Sequence, residues 1–344
     1  MVLVALGACV PAVSRIDTQA LPDLPLALAN NAVASVTSPE GAILVTFLGL
    51  EQGKTYRDVT GAAFVLAPGD VRWRPFPAPP GPGRLAATAV AVADTVYLFG
   101  GYTVAADGAE KSIETVHAVK LDAGTYRALP PMPVPVDDAL SVAWAQRYIY
   151  LVSGWHDTGN VNLVQVFDTQ TESWFQATPY PGVPVFGHAG GVAGDQIVVC
   201  GGVKIVTTTG RRRFAAERAC YRGQIDAAQP AKIDWTSLPH HSGPARYRSA
   251  AVGVDGSIVF AGGSDNPYNF NGIGYDGRPS RPSDRVHVLD IEALSWRSAA
   301  RLDVATMDHR GLLAMPDGRF AIVGGMRDDQ RVSRAVQTFR LDPP

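Results

Sequence analysis

The stretch SDNPYNFNGIGYDGRPSRPSD, residues 264–284, mixes asparagine amides with tyrosine rings. Amides hydrogen-bond sugar hydroxyls, and aromatic rings stack on the apolar face of a sugar. The same composition also suits a turn-rich loop, where Asn and Gly satisfy the backbone. Arginines and aspartates stand close together elsewhere, with Arg246 and Arg248 in ARYRS, and Asp308, His309 and Arg310 in MDHR. A guanidinium holds a carboxylate through two parallel hydrogen bonds, so a ring of arginines suits an anion. The competing reading is a salt bridge to a neighbouring aspartate, Arg310 with Asp308 for example.

The elements that position these residues repeat. VYLFGGY (96–102) recurs as IYLVSGW (149–155), IVVCGGV (197–203), IVFAGGS (258–264) and FAIVGGM (320–326), with a weaker copy in ILVTFLGL (43–50). The closing glycines are Gly49, Gly101, Gly154, Gly202, Gly263 and Gly325. Six units of roughly 50 residues predict a propeller or solenoid. No GxGxxG or P-loop follows any of these strands, which excludes the common nucleotide folds. Within one unit, Leu85–Val92 reads as a first strand, Val96–Gly101 as a second and Thr115–Asp122 as a third. A fourth, edge-like strand then ends in prolines. The fourth strands carry Trp73, Tyr126, Trp174, Trp235 and Trp296 at matching places.

The diglycine after four apolar residues, the aromatic in strand three and the Trp in strand four resemble kelch repeats across residues 20–342. The resemblance implies an all-β, six-bladed kelch β-propeller. The last unit stops after its third strand, and Ile16–Asn31 resembles a fourth strand with its proline exit. The last blade is therefore expected to be closed by an N-terminal strand.

In kelch propellers one rim of the central channel collects the starts of the first strands and the loops after the diglycines. Arg84, Asp137, Asp138, His188, Arg246, Arg248, Asp308, His309 and Arg310 fall in the first set. Tyr102, Trp155, Lys204, Tyr268, Asn269 and Arg327 fall in the second. A ten-residue count back from the second strands selects Arg248 and Arg310 as a shared anion anchor. The chain looks similar to the bacterial sialic acid mutarotases (N-acetylneuraminate epimerases), which open and reclose a sugar ring. That resemblance implies proton transfer by His188, Asp138 and Asp308. It implies substrate binding by Arg84, Arg248, Arg310, Trp155, Tyr268, Asn269 and Arg327. The family pattern has a glutamate right after blade four's second strand and an arginine a few residues on. Here CGGVK puts Gly202 in the place of that acid, while Arg211 to Arg213 match the arginine and Glu217 is the substitute acid. A non-catalytic module for a glycan or peptide is the alternative. The copper-radical and iron-binding kelch patterns are absent, so no cofactor or metal is expected.

The chain has 344 residues and a net charge of −2, which argues against a general nucleic-acid binder. MVLVALGAC resembles the end of a lipoprotein signal peptide, with Cys9 as the lipidated residue. Residues 1–15 are thus expected to be a leader and 16–344 the propeller. The protein is expected in the periplasm or outer membrane, touching a membrane only through Cys9. Cys200 and Cys220 end and begin neighbouring strands. They could pair, although two separate buried thiols is the favoured reading.

Overall fold

The structure is a computed structural model that describes residues 20–208 and 210–341. Six antiparallel sheets follow one another along the chain, each taking its strands in chain order, with a short two-stranded hairpin inserted after the second strand in blades two, three, four and six. Blade one comprises Ala32–Ser38, Gly41–Leu50, Val59–Leu66 and Arg74–Phe76. Blade two comprises Thr88–Val92, Thr95–Phe99, Val116–Lys120 and Thr125–Leu129. Blade three comprises Leu140–Trp144, Tyr148–Val152, Val164–Asp168 and Ser173–Gln176. Blade four comprises Ala189–Ala193, Gln196–Cys200, Cys220–Asp226 and Gln229–Leu238. Blade five comprises Ala250–Val254, Ser257–Ala261, Ser283–Asp290 and Ser295–Thr306. Blade six has three described strands, Leu313–Ala314, Phe320–Val323 and Val336–Phe339. The six-bladed β-propeller is therefore present.

Sheets hydrophobic on both faces must bury each face against a neighbour, and the core takes that form. One apolar layer lies between blades one and two, around Phe47, Val65, Val96 and Val119. Equivalent layers fill each following interface. The sixth layer joins blade six to blade one, and Leu24 and Leu28 belong to it with Val323 and Val336.

The fourth-strand aromatics pin each blade to the one before it. Trp174 Nε1 donates to the Pro130 carbonyl, Trp235 Nε1 to Thr178, and Trp296 Nε1 to Pro239. Tyr126 donates through its hydroxyl to Pro77. In blade one, Trp73 Nε1 donates to Pro22 at 2.8 Å. Pro22 thus stands against Trp73 as Pro77 stands against Tyr126 and Pro130 against Trp174. Leu24 N donates to Arg334 O and Leu28 N to Ser333 O, which lays this segment beside the last sheet. Of the expected closing segment Ile16–Asn31, residues 16–19 lie outside the described residues, as do the leader and Cys9, and residues 20–31 form no strand beyond an isolated bridge at Ala29.

The diglycines follow from the crowding. Gly101 has φ +90°, and a Cβ there would stand 2.6 Å from the Leu85 carbonyl oxygen of its own blade. At the preceding place, a Cβ on Gly100 would meet Val136 O of the next blade at 2.5 Å. At the second place every blade has glycine, because a Cβ there would meet a carbonyl just ahead of the first strand; at the first place Leu48 and Ser153 are accommodated in blades one and three.

Cys200 and Cys220 face each other across adjacent strands of blade four and form a disulfide bond. The reading as separate thiols is corrected: direct pairing in the ladder places their Cα atoms 4.2 Å apart, within bonding reach.

Candidate active site

One residue per blade turns into left-handed backbone just ahead of its first strand: Asn30, Ala86, Asp138, Gly187, Arg248 and Asp308, with φ between 50° and 72°. For the non-glycine members this costs about 1–2 kcal/mol each. Hydrogen bonds around the ring offset that cost. Asp138 N donates to Ala86 O, Gly187 N to Asp138 O, and Arg248 N to Gly187 O. His309 N donates to Arg248 O and Asn30 N to Asp308 O. Ala86 N closes the circle on Asn30 Oδ1 at 2.7 Å.

The polar side chains at these positions meet across the axis. Arg248 Nε donates to Asp138 Oδ1 at 3.1 Å and Nη2 to Asp138 Oδ2 at 2.5 Å, while Nη1 donates to Asp308 Oδ1 at 2.9 Å. Arg310 Nη1 also donates to Asp138 Oδ1. Asn30 Nδ2 and the Tyr268 hydroxyl donate to Asp308 Oδ1. The Arg248 guanidinium lies 4.8 Å from the Tyr247 ring centroid and 5.5 Å from that of Tyr268. Two cations and two carboxylates are thus buried together. Burial pushes the Asp138 carboxyl up, but Arg248 and Arg310 outweigh it and hold the group below its ordinary range. Asp308 is raised, burial being the larger effect.

A cavity of about 190 Å³ opens on one side of this plug. Trp155, Phe186, Phe214, Phe270 and Tyr275 give it aromatic walls; Asp138 and Arg248 line it together with Asp137, Glu110, Tyr102 and Asn269. Phe214 and Tyr275 stack with centroids 4.2 Å apart, and Trp155 meets Phe186 edge-on at 5.4 Å. Asp137 is 2% exposed and accepts from Ser112 Oγ at 2.7 Å. Burial first, then the charges of Asp138 and Glu110, push the Asp137 carboxyl well above its ordinary range. Glu110, at the solvent edge, is also raised, again chiefly by burial. Arg212 lies over the Trp155 ring at 4.6 Å, with no carboxylate partner among the described residues.

Of the residues expected from the sequence, the cavity brings together Asp138, Arg248, Trp155 and Asn269. Tyr268 lies beneath it, fully buried against Asp308. Asp308 belongs to the plug and is absent from the cavity lining.

Several expectations are corrected. Arg248 and Arg310 do not form a shared anchor. Arg310 lines a second cavity of about 290 Å³ made by the first strands beyond the plug, and Asp138 separates the two guanidinium groups. The ten-residue count misassigned blade six, where Asp308 is the counterpart of Arg248. Arg310 sits two residues further along, past the left-handed turn at Asp308. His188 also lies beyond the plug, its Nε2 donating to Val152 O at 2.9 Å, with burial lowering it to about 4. Arg84 is buried two residues ahead of Ala86 and donates to Gly100 O at 2.7 Å. Arg327 does not line the cavity, and Glu217 pairs with Lys204 at 2.9 Å.

Glu110 and Phe214 were missed because both sit on returning strands of the hairpins Tyr102–Val104/Glu110–Ser112 and Val203–Thr208/Arg211–Ala216. The chain passes the mouth twice in each hairpin, and on the returning pass the sequence drew attention to Arg211–Arg213 and Glu217 rather than to Glu110 and Phe214. Asp137 was in view, but Asp138 was preferred.

No family model matches the chain. Human kelch domain-containing protein 3 is 26% identical over 264 residues, covering 71% of this chain, and the rat protein of the same name matches equally. The chain spans 64% of the length of these relatives. Chicken kelch-like protein 15 is 27% identical over 114 residues, covering 33% of this chain and 23% of its own. The solved structure of YjhT superposes with a TM-score of 0.74 over 94% of this chain and 97% of its own, at 16% identity. The superposition agrees with the sheets in showing a six-bladed β-propeller, and the repeats and relatives make the chain similar to kelch-domain proteins.

Proposed function

We propose that the mouth cavity binds a small sugar and catalyses the opening and reclosing of its ring. The observation that carries this reading is Asp137, a carboxyl 2% exposed and raised well above its ordinary range by burial, lining a cavity walled by Trp155, Phe214 and Tyr275. The rings offer stacking surfaces to the apolar face of a pyranose. Asp137 donates its proton to the ring oxygen while Glu110 takes the proton of the anomeric hydroxyl. The bond between ring oxygen and anomeric carbon breaks, giving the open carbonyl form, and reclosure from the other face returns both protons. Positioned proton transfer of this kind contributes about 10²–10⁴-fold.

For an acidic sugar such as N-acetylneuraminate, Arg248 is already shared by two aspartates. Arg212 has no carboxylate partner among the described residues, lies in the segment that matches the family's arginine, and its stacking on Trp155 leaves its edge to a carboxylate. The Cys200–Cys220 bond suits an oxidising compartment and supports export.

The test is exchange NMR of α/β interconversion of N-acetylneuraminate with and without protein. Acceleration is expected, lost in Asp137→Asn, and with Arg212→Met raising KM more than it lowers kcat. A non-catalytic glycan-binding module is the second reading, favoured by Gly202 standing where the family has its acid. Saturable glycan binding without acceleration would establish it and refute the isomerase.

A further inference from the structure

Blades two and five carry matching residues at matching places. Arg84 and Arg246 each stand two residues ahead of an axial position. His117 and His287 lie in the third strands, and Tyr126 and Trp296 in the fourth. In blade two the arginine is held by the protein's own carbonyls, its Nε donating to Gly100 O at 2.7 Å. In blade five the corresponding carbonyl, Gly262 O, accepts from Ser249 Oγ at 3.2 Å. Blade two has Ala87 at the place of Ser249 and so has no such competitor. Arg246 Nε is consequently buried without a partner. His287 Nε2 is also buried and unpartnered, on a residue only 7% exposed.

Both residues line one interblade pocket with His240, His241, Arg285 and Trp296. Its inner void is about 20 Å³, room for roughly one oxygen-sized group. Its surroundings are cationic. Arg246 approaches Asp265 no closer than 4.0 Å, and Asp284, near Arg285, is bonded at 2.8 Å to Arg301 instead. Arg218 backs the pocket by donating to His241 O and Gly243 O. Burial and the neighbouring cations hold His287 down to about 4, leaving its imidazole neutral at physiological pH. No set of three metal-ligating side chains converges among the described residues.

We propose that this pocket is a second ligand site, specific for an oxyanion: one oxygen of a carboxylate or phosphoryl group enters the void. Arg246 Nε–H and a His287 Nε2–H tautomer supply the donors that the protein leaves unused. A buried donor without a partner is costly, and an anionic oxygen satisfies two at once. The site lies between blades four and five, apart from the axial cavity.

The test uses inorganic phosphate and acetate, titrated separately by calorimetry into the full chain carrying Arg212→Met, so that the axial mouth contributes no free cation. Saturable binding of at least one anion is expected, with Kd below about 1 mM. Arg246→Met is expected to weaken it at least tenfold, and His287→Asn to weaken it as well. Thermal unfolding verifies the fold of each variant; if Arg246→Met does not fold, His287→Asn decides. Phosphate binding alone identifies a phosphoryl ligand, and acetate binding a carboxylate. Failure of both anions, or affinity unchanged in the folded variants, overturns the proposal. None of these outcomes depends on the sugar reading.

Discussion

Arg248→Met removes the cation at the centre of the axial plug. The wild-type guanidinium makes three hydrogen bonds to two carboxylates, Asp138 and Asp308, that are 2% and 0% exposed. Arg310 still reaches Asp138, so the variant leaves one net negative charge buried. Breaking a buried pair in this way costs about 3–5 kcal/mol. At roughly 2 cal/mol/K per residue, 344 residues give an unfolding entropy near ~0.7 kcal/mol/K, so Tm falls by about 4–7 °C. The pH dependence follows from the same charges. Without Arg248 the carboxyls sit in a low-dielectric site, and their folded pKa values rise above the unfolded ones. Groups raised in this way stabilise the fold when protonated, and that stability is lost as pH rises through the folded pKa. Wild-type Asp138 is depressed instead, so it favours folding above its unfolded pKa and loses that contribution in acid. The stability gap between wild type and variant therefore narrows from pH 7.5 to pH 4.5. Calorimetric scans of both proteins at the two pH values measure it. A loss under about 1 kcal/mol at pH 7.5, or a gap that widens in acid, would refute a desolvated plug.

Three further outcomes are expected. Gly101→Ala should destabilise by at least about 3 kcal/mol, from left-handed strain and a clash with Leu85 O. Gly108→Ala, also left-handed but with open space around it, should lose only about 1–2 kcal/mol; equal losses in denaturant titrations would remove crowding as the reason for the diglycines. Replacing Cys200 and Cys220 together by Ala opens a bridge between residues 20 apart and should lower stability by about 3 kcal/mol. An unchanged guanidinium midpoint would count against it. Trp73→Phe keeps an aromatic ring but deletes the bond to Pro22 and part of a buried indole, costing at least about 1 kcal/mol, and should raise proteolysis of the N-terminal segment.

The number of blades was legible in the sequence because each needs the same local solution. An apolar second strand must end in a residue without a side chain where it meets Leu85 O or its counterparts. The interblade aromatics were legible for a similar reason, since each fourth strand repeats one contact to the preceding blade. N-terminal closure could be read from Pro22, which stands at a proline exit like Pro77 and Pro130. Positions along a strand were less secure. First-strand hairpins differ in length, so a fixed count placed Arg310 where Asp308 belongs.

What the chain's order of residues determined by itself was thus the repeat, its closure and the two rims from which a site is drawn. Only the tertiary structure decided which charges cancel and which remain free. Asp138, Arg248, Asp308 and Arg310 lie in three blades and up to 172 residues apart, and meet only because the ring closes. That closure neutralises the expected anion anchor, leaves Asp137 as a buried carboxyl raised above its ordinary range in the cavity, and sends His188 to the other side of the plug. A charge's role depends on its partners and its solvent, and both are set across the axis, far from its neighbours along the chain.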